Sequence, residues 1–218
     1  MKKIIGLTVA ALLVMGLVGG GTWAYFSDTE TSGTNVLSAG TLDLTLGGAT
    51  APFSIDGKKP GDSGDPDVSW TLTQSGSLSG DLTIAMGTVT NNENTIWDPE
   101  SDQGDTTDDP NGGELGSKVK IALWLDEGND GWDDVNDLYL IDGGTTQAYI
   151  SGSVVPTAAY DFIDDFSGDS WANVATLSGG GATYFKVSYN FPDSGDATDN
   201  VAQSDNCTFD ITFTLLQS

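Results

Sequence analysis

The sequence predicts an all-β protein: a jelly-roll-like antiparallel β-sandwich with long acidic loops and little helix. Three observations carry that reading. Apolar and polar residues alternate over seven short stretches, the mark of half-buried strands. The stretches are separated by connections rich in Gly and Asp, residues that favour turns. Of the 32 acidic residues, 27 are Asp and 5 are Glu, a skew toward loop chemistry and away from helix.

The first stretch sets Leu42, Leu44 and Leu46 against Asp43 and Thr45, and the second sets Val68, Trp70 and Leu72 against Ser69 and Thr71. Leu82, Ile84 and Met86 form a third. In the fourth, Val119, Ile121, Leu123 and Leu125 share one face, with Lys118, Lys120, Ala122 and Trp124 on the other. Leu138 and Leu140 mark a short strand, and Phe185, Val187, Tyr189 and Phe191 a longer one. The last runs without a break through Cys207, Phe209, Ile211, Phe213 and Leu215. Strands with one apolar face each must bury those faces against one another, which gives two packed antiparallel sheets. A short helix is expected around Ala158 to Phe166 or Trp171 to Leu177. Two long polar loops, Asn91 to Gly116 and Asp126 to Asp137, interrupt the scheme, and no internal repeat is visible.

The amino terminus has a separate logic. Lys2 and Lys3 precede an apolar run from Ile4 to Val18 and then small residues, the three-part layout of a secretory signal. A run of that length is short for a membrane-spanning helix, which needs about 20 residues. Residues 1–24 therefore read as a signal peptide cleaved between Ala24 and Tyr25, so membrane contact is expected only through the uncleaved signal. Cleavage removes Lys2 and Lys3 and moves the formal charge from −25 to −27. A chain this acidic, with no Arg and no His, is repelled by nucleic acid, whose binding rests on Lys and Arg. The residues that remain are enough for one sizeable core, and a single domain over 38–218 is expected.

Composition also limits catalysis. Zinc sites are built largely from Cys and His, and Ser-His-Asp and Cys-His systems need His. This chain has no His and one Cys. Cys207 falls in a strand pattern with no His or Arg to activate it, and reads as a small buried strand residue. No pair of carboxylates sits in an apolar setting of glycosidase type, so no catalytic residue is expected. Calcium is the one candidate cofactor, and none is required. Its best site is the segment 126–134, where Asp126, Asp130, Asp133 and Asp134 could gather oxygens. Against the calcium-loop pattern the segment supplies Asp126, Asp130 and Gly131 but places Gly128 at the third position. The alternative is a polar turn between strands. A second, weaker cluster is Asp98, Glu100, Asp102 and Asp105.

At Gly19-Gly20-Gly21-Thr22-Trp23-Ala24-Tyr25-Phe26-Ser27-Asp28-Thr29-Glu30, followed by Ala39-Gly40-Thr41-Leu42-Asp43-Leu44, the chain resembles the TasA and camelysin family of secreted fibre proteins. Agreement continues through Lys59-Pro60-Gly61-Asp62-Ser63, Gly76-Ser77-Leu78-Ser79-Gly80, Asp137-Leu138-Tyr139-Leu140 and Gln203. The resemblance implies a jelly-roll subunit released by a SipW-like signal peptidase and located in the extracellular matrix or at the cell surface. It further implies self-association into a homopolymeric biofilm fibre, with other matrix components as further partners. The freed amino-terminal segment, residues 25–37, would insert as a donor strand into the next subunit. Tyr25, Phe26, Ser27, Asp28, Thr29, Glu30, Thr31 and Val36 would belong to it, with Tyr25 and Phe26 as its apolar anchors. The alternative is an unpaired, flexible terminus.

Three readings follow. The first is a structural fibre subunit. The second is a calcium-binding surface adhesion module, which acidic loops on a secreted sandwich would suit. The third is a secreted metalloprotease, as camelysin relatives are labelled, against which the lack of His and of any His-Glu-x-x-His helix stands.

Overall fold

The computed structural model describes residues 39–48, 53, 58–96, 98–106, 111–133, 135–148, 152 and 154–218. The signal segment, the cleavage position at Ala24 and Tyr25, and the donor segment through Val36 lie outside the described residues, as does Asp134. The strands are β1 (Leu44–Gly48), β2 (Ser63–Gln74), β3 (Gly80–Met86), β4 (Thr90–Asn92), β5 (Lys120–Asp126) and β6 (Leu138–Ile141). They continue with β7 (Thr145–Ala148), β8 (Asp161–Phe162), β9 (Ser170–Leu177), β10 (Ala182–Asn190), β11 (Asn206–Thr208) and β12 (Ile211–Gln217).

All pairings are antiparallel. The larger sheet runs β1-β2-β10-β5-β6-β7, with β8 on β5; the smaller runs β12-β3-β9; β11 and β4 form a separate pair. The alternating apolar faces explain the sandwich. Trp70, Leu72, Ile121, Leu123, Phe185 and Val187 from the larger sheet pack against Leu82, Ile84, Met86 and Trp171 from the smaller. Phe185 lies 5.9 Å from the Trp70 ring within its own sheet and 5.1 Å from Phe213 of β12, edge-on, so aromatic contacts cross the core. The fold is thus the expected all-β sandwich.

Several elements differ from expectation, each for a local reason. Trp171 to Leu177 is strand β9, not helix. Its buried residues, Trp171, Val174 and Leu177, fall three apart because the strand bulges: Leu82 pairs with Ala175 while Ile84 pairs with Trp171. Asn173 within the bulge has φ of 55°, and the extra residues reset the alternation. Over 158–166 the chain forms two single 3-10 turns, Thr157–Ala159 and Ile163–Phe166, with β8 between them. Two one-turn helices, α1 (Asp98–Ser101) and α2 (Leu115–Lys118), lie in the loop that reads as polar. The last stretch is split rather than continuous: β11 pairs with β4 and β12 with β3.

Strand β5 is buried on both faces, not one. Ala122 and Trp124, on the side away from the main core, are covered by Trp132, Tyr139, Val155 and Ala159. The loop from 127 to 137 therefore carries a tryptophan inward as well as acids outward.

Two of the motifs that carry the family resemblance form one structural unit. Gln74, fully buried, accepts the N–H groups of Asp43 (2.9 Å) and Gly76 (3.0 Å) and donates to the Leu78 carbonyl (2.7 Å). Ser77 and Leu78 donate their N–H groups to the Thr41 carbonyl. A Cβ on Gly76 would sit 2.1 Å from that carbonyl oxygen, so only glycine admits the approach. The segment 40–43 is thereby stapled to the β2–β3 turn, and β1 starts in a defined register.

Candidate functional site

Three features could carry function: the loop after β5, a cluster of carboxylates beside β4 and β11, and an open groove between the sheets.

In the loop, Asp126 is fully buried and its carboxylate accepts the N–H groups of Asn129 and Gly131. Lys186 reaches it from the neighbouring strand β10, forming a buried ion pair, and lies 5.0 Å over the Trp124 ring. Asn129 and Gly131 have positive φ, 58° and 107°, which turns their N–H groups inward. Asp137, also fully buried, accepts from Glu127 (3.3 Å) and Asp133 (3.0 Å) and closes the loop. Asp130 and Asp133 are exposed. Among the described residues, Asp126, Asp130 and Asp133 do not converge on one point; a lysine and backbone amides hold the Asp126 charge.

The carboxylates that do converge are others. Glu93 follows β4, Glu100 sits on α1, Asp105 follows α1, Glu114 precedes α2 and Asp205 precedes β11. Carboxylate oxygens of Glu93, Asp105 and Glu114 lie within 4.8 Å of one another, and so do those of Glu93, Glu100 and Asp205. Glu93, Glu100 and Asp105 are buried. Glu100 and Asp105 belong to the weaker cluster read from the sequence, whose other members, Asp98 and Asp102, are exposed.

The chain is pulled together here by short polar contacts. Asn92 Nδ2 donates to Asn206 Oδ1 (2.8 Å), Asn94 Nδ2 to the Ser204 carbonyl (2.5 Å), and the Glu114 N–H to Asp205 Oδ2 (2.5 Å). Ser204 Oγ donates to the Thr95 carbonyl at 2.6 Å and also lies 3.2 Å from Glu100 Oε1. Burial, reinforced by the Asp205, Glu100 and Asp105 charges, pushes the Glu93 carboxyl up to about 7. Burial with Asp105, Asp205 and Glu100 does the same for Glu114. Protonating Glu93 would let it donate a hydrogen bond to Asp205; as two carboxylates they only repel. Glu93, Glu114 and Asp205 were missed in the sequence reading because they lie at 93, 114 and 205, in three separate connections.

The groove is a cavity of about 800 Å³ between the two sheets. Leu46, Trp70, Val119, Phe191, Phe209 and Phe213 are among its lining residues. Ile211 and Phe213 at the start of β12 line it, and β12, bonded to β3, ends its sheet among the described residues. Cys207 lines it as well, half-buried, with its thiol pushed up to about 12 by burial and by Asp164. The thiolate is the reactive form, so iodoacetamide at pH 8 should alkylate Cys207 roughly a thousandfold more slowly than free cysteine. Rates within tenfold of the free thiol, followed by mass spectrometry, would show that the strand opens.

A family model described as camelysin metallo-endopeptidase matches the whole chain, residues 1–218. The chain belongs to the camelysin family. A relative within reach of this camelysin-family chain is the major biofilm matrix component of Bacillus subtilis (strain 168), 46% identical over 63 residues. That match covers 28% of this chain and 24% of the relative, so the chain spans about a quarter of the length of the curated relative it matches.

The camelysin description implies a metal. A hydrolytic zinc is held by His, Cys and carboxylate, with His in most such sites. This member has no His and one half-buried Cys, and among the described residues the groups that converge are all carboxylates. An all-oxygen set suits a hard cation of calcium type and does not fit a hydrolytic zinc.

Proposed function

We propose that the chain is a secreted, non-catalytic structural subunit of an extracellular matrix that polymerises head to tail. The observation that carries this is that β12 has a strand partner on one side only among the described residues, and that its Ile211 and Phe213 help line an open, largely apolar groove. An exposed edge is a template for strand addition, in which backbone bonds supply affinity and side-chain pockets set register. Gly40 and Thr41 are held at the Gly76–Gly80 turn, the end of β12 marked by the Gly80 and Gln217 pair. The groove extends to Phe209 and Asp210, beyond the Ile211 end of β12. The two ends are roughly 20 Å apart along the strand.

Residues 25–37, freed by a SipW-like peptidase at Ala24, would leave one end of a subunit and fill the groove at the side of the next. A contact of that kind is heterologous and builds filaments rather than closed rings. The matrix role of the Bacillus relative supports the same reading.

The test is negative-stain electron microscopy of the chain starting at Tyr25 beside one starting at Ser38. Filaments from the longer chain alone are expected. Monomers from both would overturn polymerisation through this segment. Peptide hydrolysis by the pure protein, abolished by a chelator, would overturn the non-catalytic assignment.

A further inference from the structure

Beyond assembly, the structure gathers a group of buried carboxylates from separate connections. We propose that Glu93, Glu100, Asp105, Glu114 and Asp205 form a binding site for calcium, with Glu93 as its central ligand.

A cluster of acids on a surface is ordinarily solvated, and the acidity of this chain makes such clusters common. This one differs in what happens to Glu93. The residue is 7% exposed, and neither of its carboxylate oxygens has a hydrogen-bond partner. Those oxygens point into both triplets of converging carboxylates, and Glu93 is the member the triplets share. Glu114 Oε2 and Asp205 Oδ1 are buried and likewise without a hydrogen-bond partner. Among the described residues no lysine lies within ion-pair distance of Glu93, Glu114 or Asp205. Contrast Asp126, which is just as buried but meets Lys186 and two N–H groups. Burying a carboxylate with nothing opposite it is strongly unfavourable, and here several are buried facing one another.

The spacing selects the ion. Calcium takes six to eight oxygens at about 2.3–2.6 Å, so two ligands on opposite sides of one ion are about 5 Å apart. Within each triplet the oxygens lie within 4.8 Å of one another and fit around a common centre, and Glu93 belongs to both. Magnesium demands near-ideal octahedral geometry and gives up its water reluctantly, which suits it less to a site crowded with carboxylates. Zinc prefers nitrogen and sulfur donors. Ser204 Oγ, 3.2 Å from Glu100 Oε1, is a supporting contact on a converging carboxylate, while the contact at Asp205 spares its facing oxygen. Glu114 N–H engages Asp205 through Oδ2, leaving Oδ1 turned inward. Gly113 approaches Asn92 so closely that a Cβ would lie 2.8 Å from its carbonyl. An ion here would tie the stretches around 93, 100–105 and 114 to the one around 205, across the β4–β11 pair.

The purified full chain, stripped with EGTA and dialysed, would be titrated with calcium chloride by calorimetry and by thermal melting. Saturable binding is expected, with the midpoint rising by about 5–10 °C when free calcium reaches a hundred times its dissociation constant. Glu93→Gln should abolish both the binding and the shift. Because that change removes a buried charge, its melting point in EGTA should equal or exceed that of the unaltered chain, which separates lost binding from lost folding. Glu114→Gln should weaken binding at least tenfold and serves as the second variant. Asp130→Asn, in the loop after β5, should bind calcium as the unaltered chain does. Absence of binding, binding unchanged by Glu93→Gln, or loss of binding on Asp130→Asn alone would each overturn the assignment. So would a site that takes zinc in preference to calcium. None of these outcomes depends on whether the chain polymerises.

Discussion

Lys186→Met is expected to cost the fold about 3–5 kcal/mol, the range for removing one partner of a buried ion pair. Lys186 and Asp126 have side chains only 6% and 0% exposed, so water cannot take the lysine's place. The loss arises because Asp126 would stay buried with only the N–H groups of Asn129 and Gly131 against its charge. In a domain of this size the midpoint of thermal unfolding should fall by roughly 6–20 °C. The double variant Asp126→Asn/Lys186→Met should recover much of that loss, since no uncompensated charge remains. A single variant that melts within 2 °C of the unaltered protein would show that water enters the pair and that it does not lock the loop to β10.

The second large effect is expected at Trp171. Its side chain is fully buried, 6.0 Å from the Phe166 ring, and its indole N–H donates to the Ile141 carbonyl at 2.8 Å. Trp171→Ala removes a large core group and leaves a cavity, about 3–5 kcal/mol, a substantial part of the 5–15 kcal/mol that a domain commonly has. Trp171→Phe keeps most of the packing but strands the Ile141 carbonyl, so a smaller cost, about 1–3 kcal/mol, is expected. Denaturant melts of both variants would check the order. Equal losses from the two would assign the effect to the hydrogen bond alone.

Strands that pack against a single partner sheet were legible. Val68, Trp70 and Leu72, or Leu82, Ile84 and Met86, alternate because water faces one side and the core the other. Legibility ended where a third layer or an irregularity intervened. Strand β5 looked half-buried because nothing local says that Trp132 and Tyr139 fold back over Ala122 and Trp124. Strand β9 looked helical because a bulge at Asn173 imitates a period of three. Short strands such as β4 and β7 carry too few residues for any period to emerge.

The carboxylate cluster illustrates a different limit. Glu100 and Asp105 lie close in sequence and were noticed, but Glu93 and Asp205 meet through the pairing of β11 with β4, and Glu114 joins them through its N–H bond to Asp205. One signal was present: three of the five Glu in a chain with 27 Asp fall between 93 and 114. Conversely, the Asp126 loop had the better sequence pattern, yet its leading carboxylate is matched by a lysine 60 residues downstream.

The placement of Gly40 near one end of β12, with the groove reaching past the other, has a mechanical consequence. In a fibre joined through that groove, tension would run along the strand direction. Inter-strand hydrogen bonds lie perpendicular to that direction, so a pull would shear the whole ladder at once instead of peeling it open bond by bond. Rupture would then require many bonds to fail together, and the junction between subunits would resist stretching far better than its equilibrium affinity alone implies.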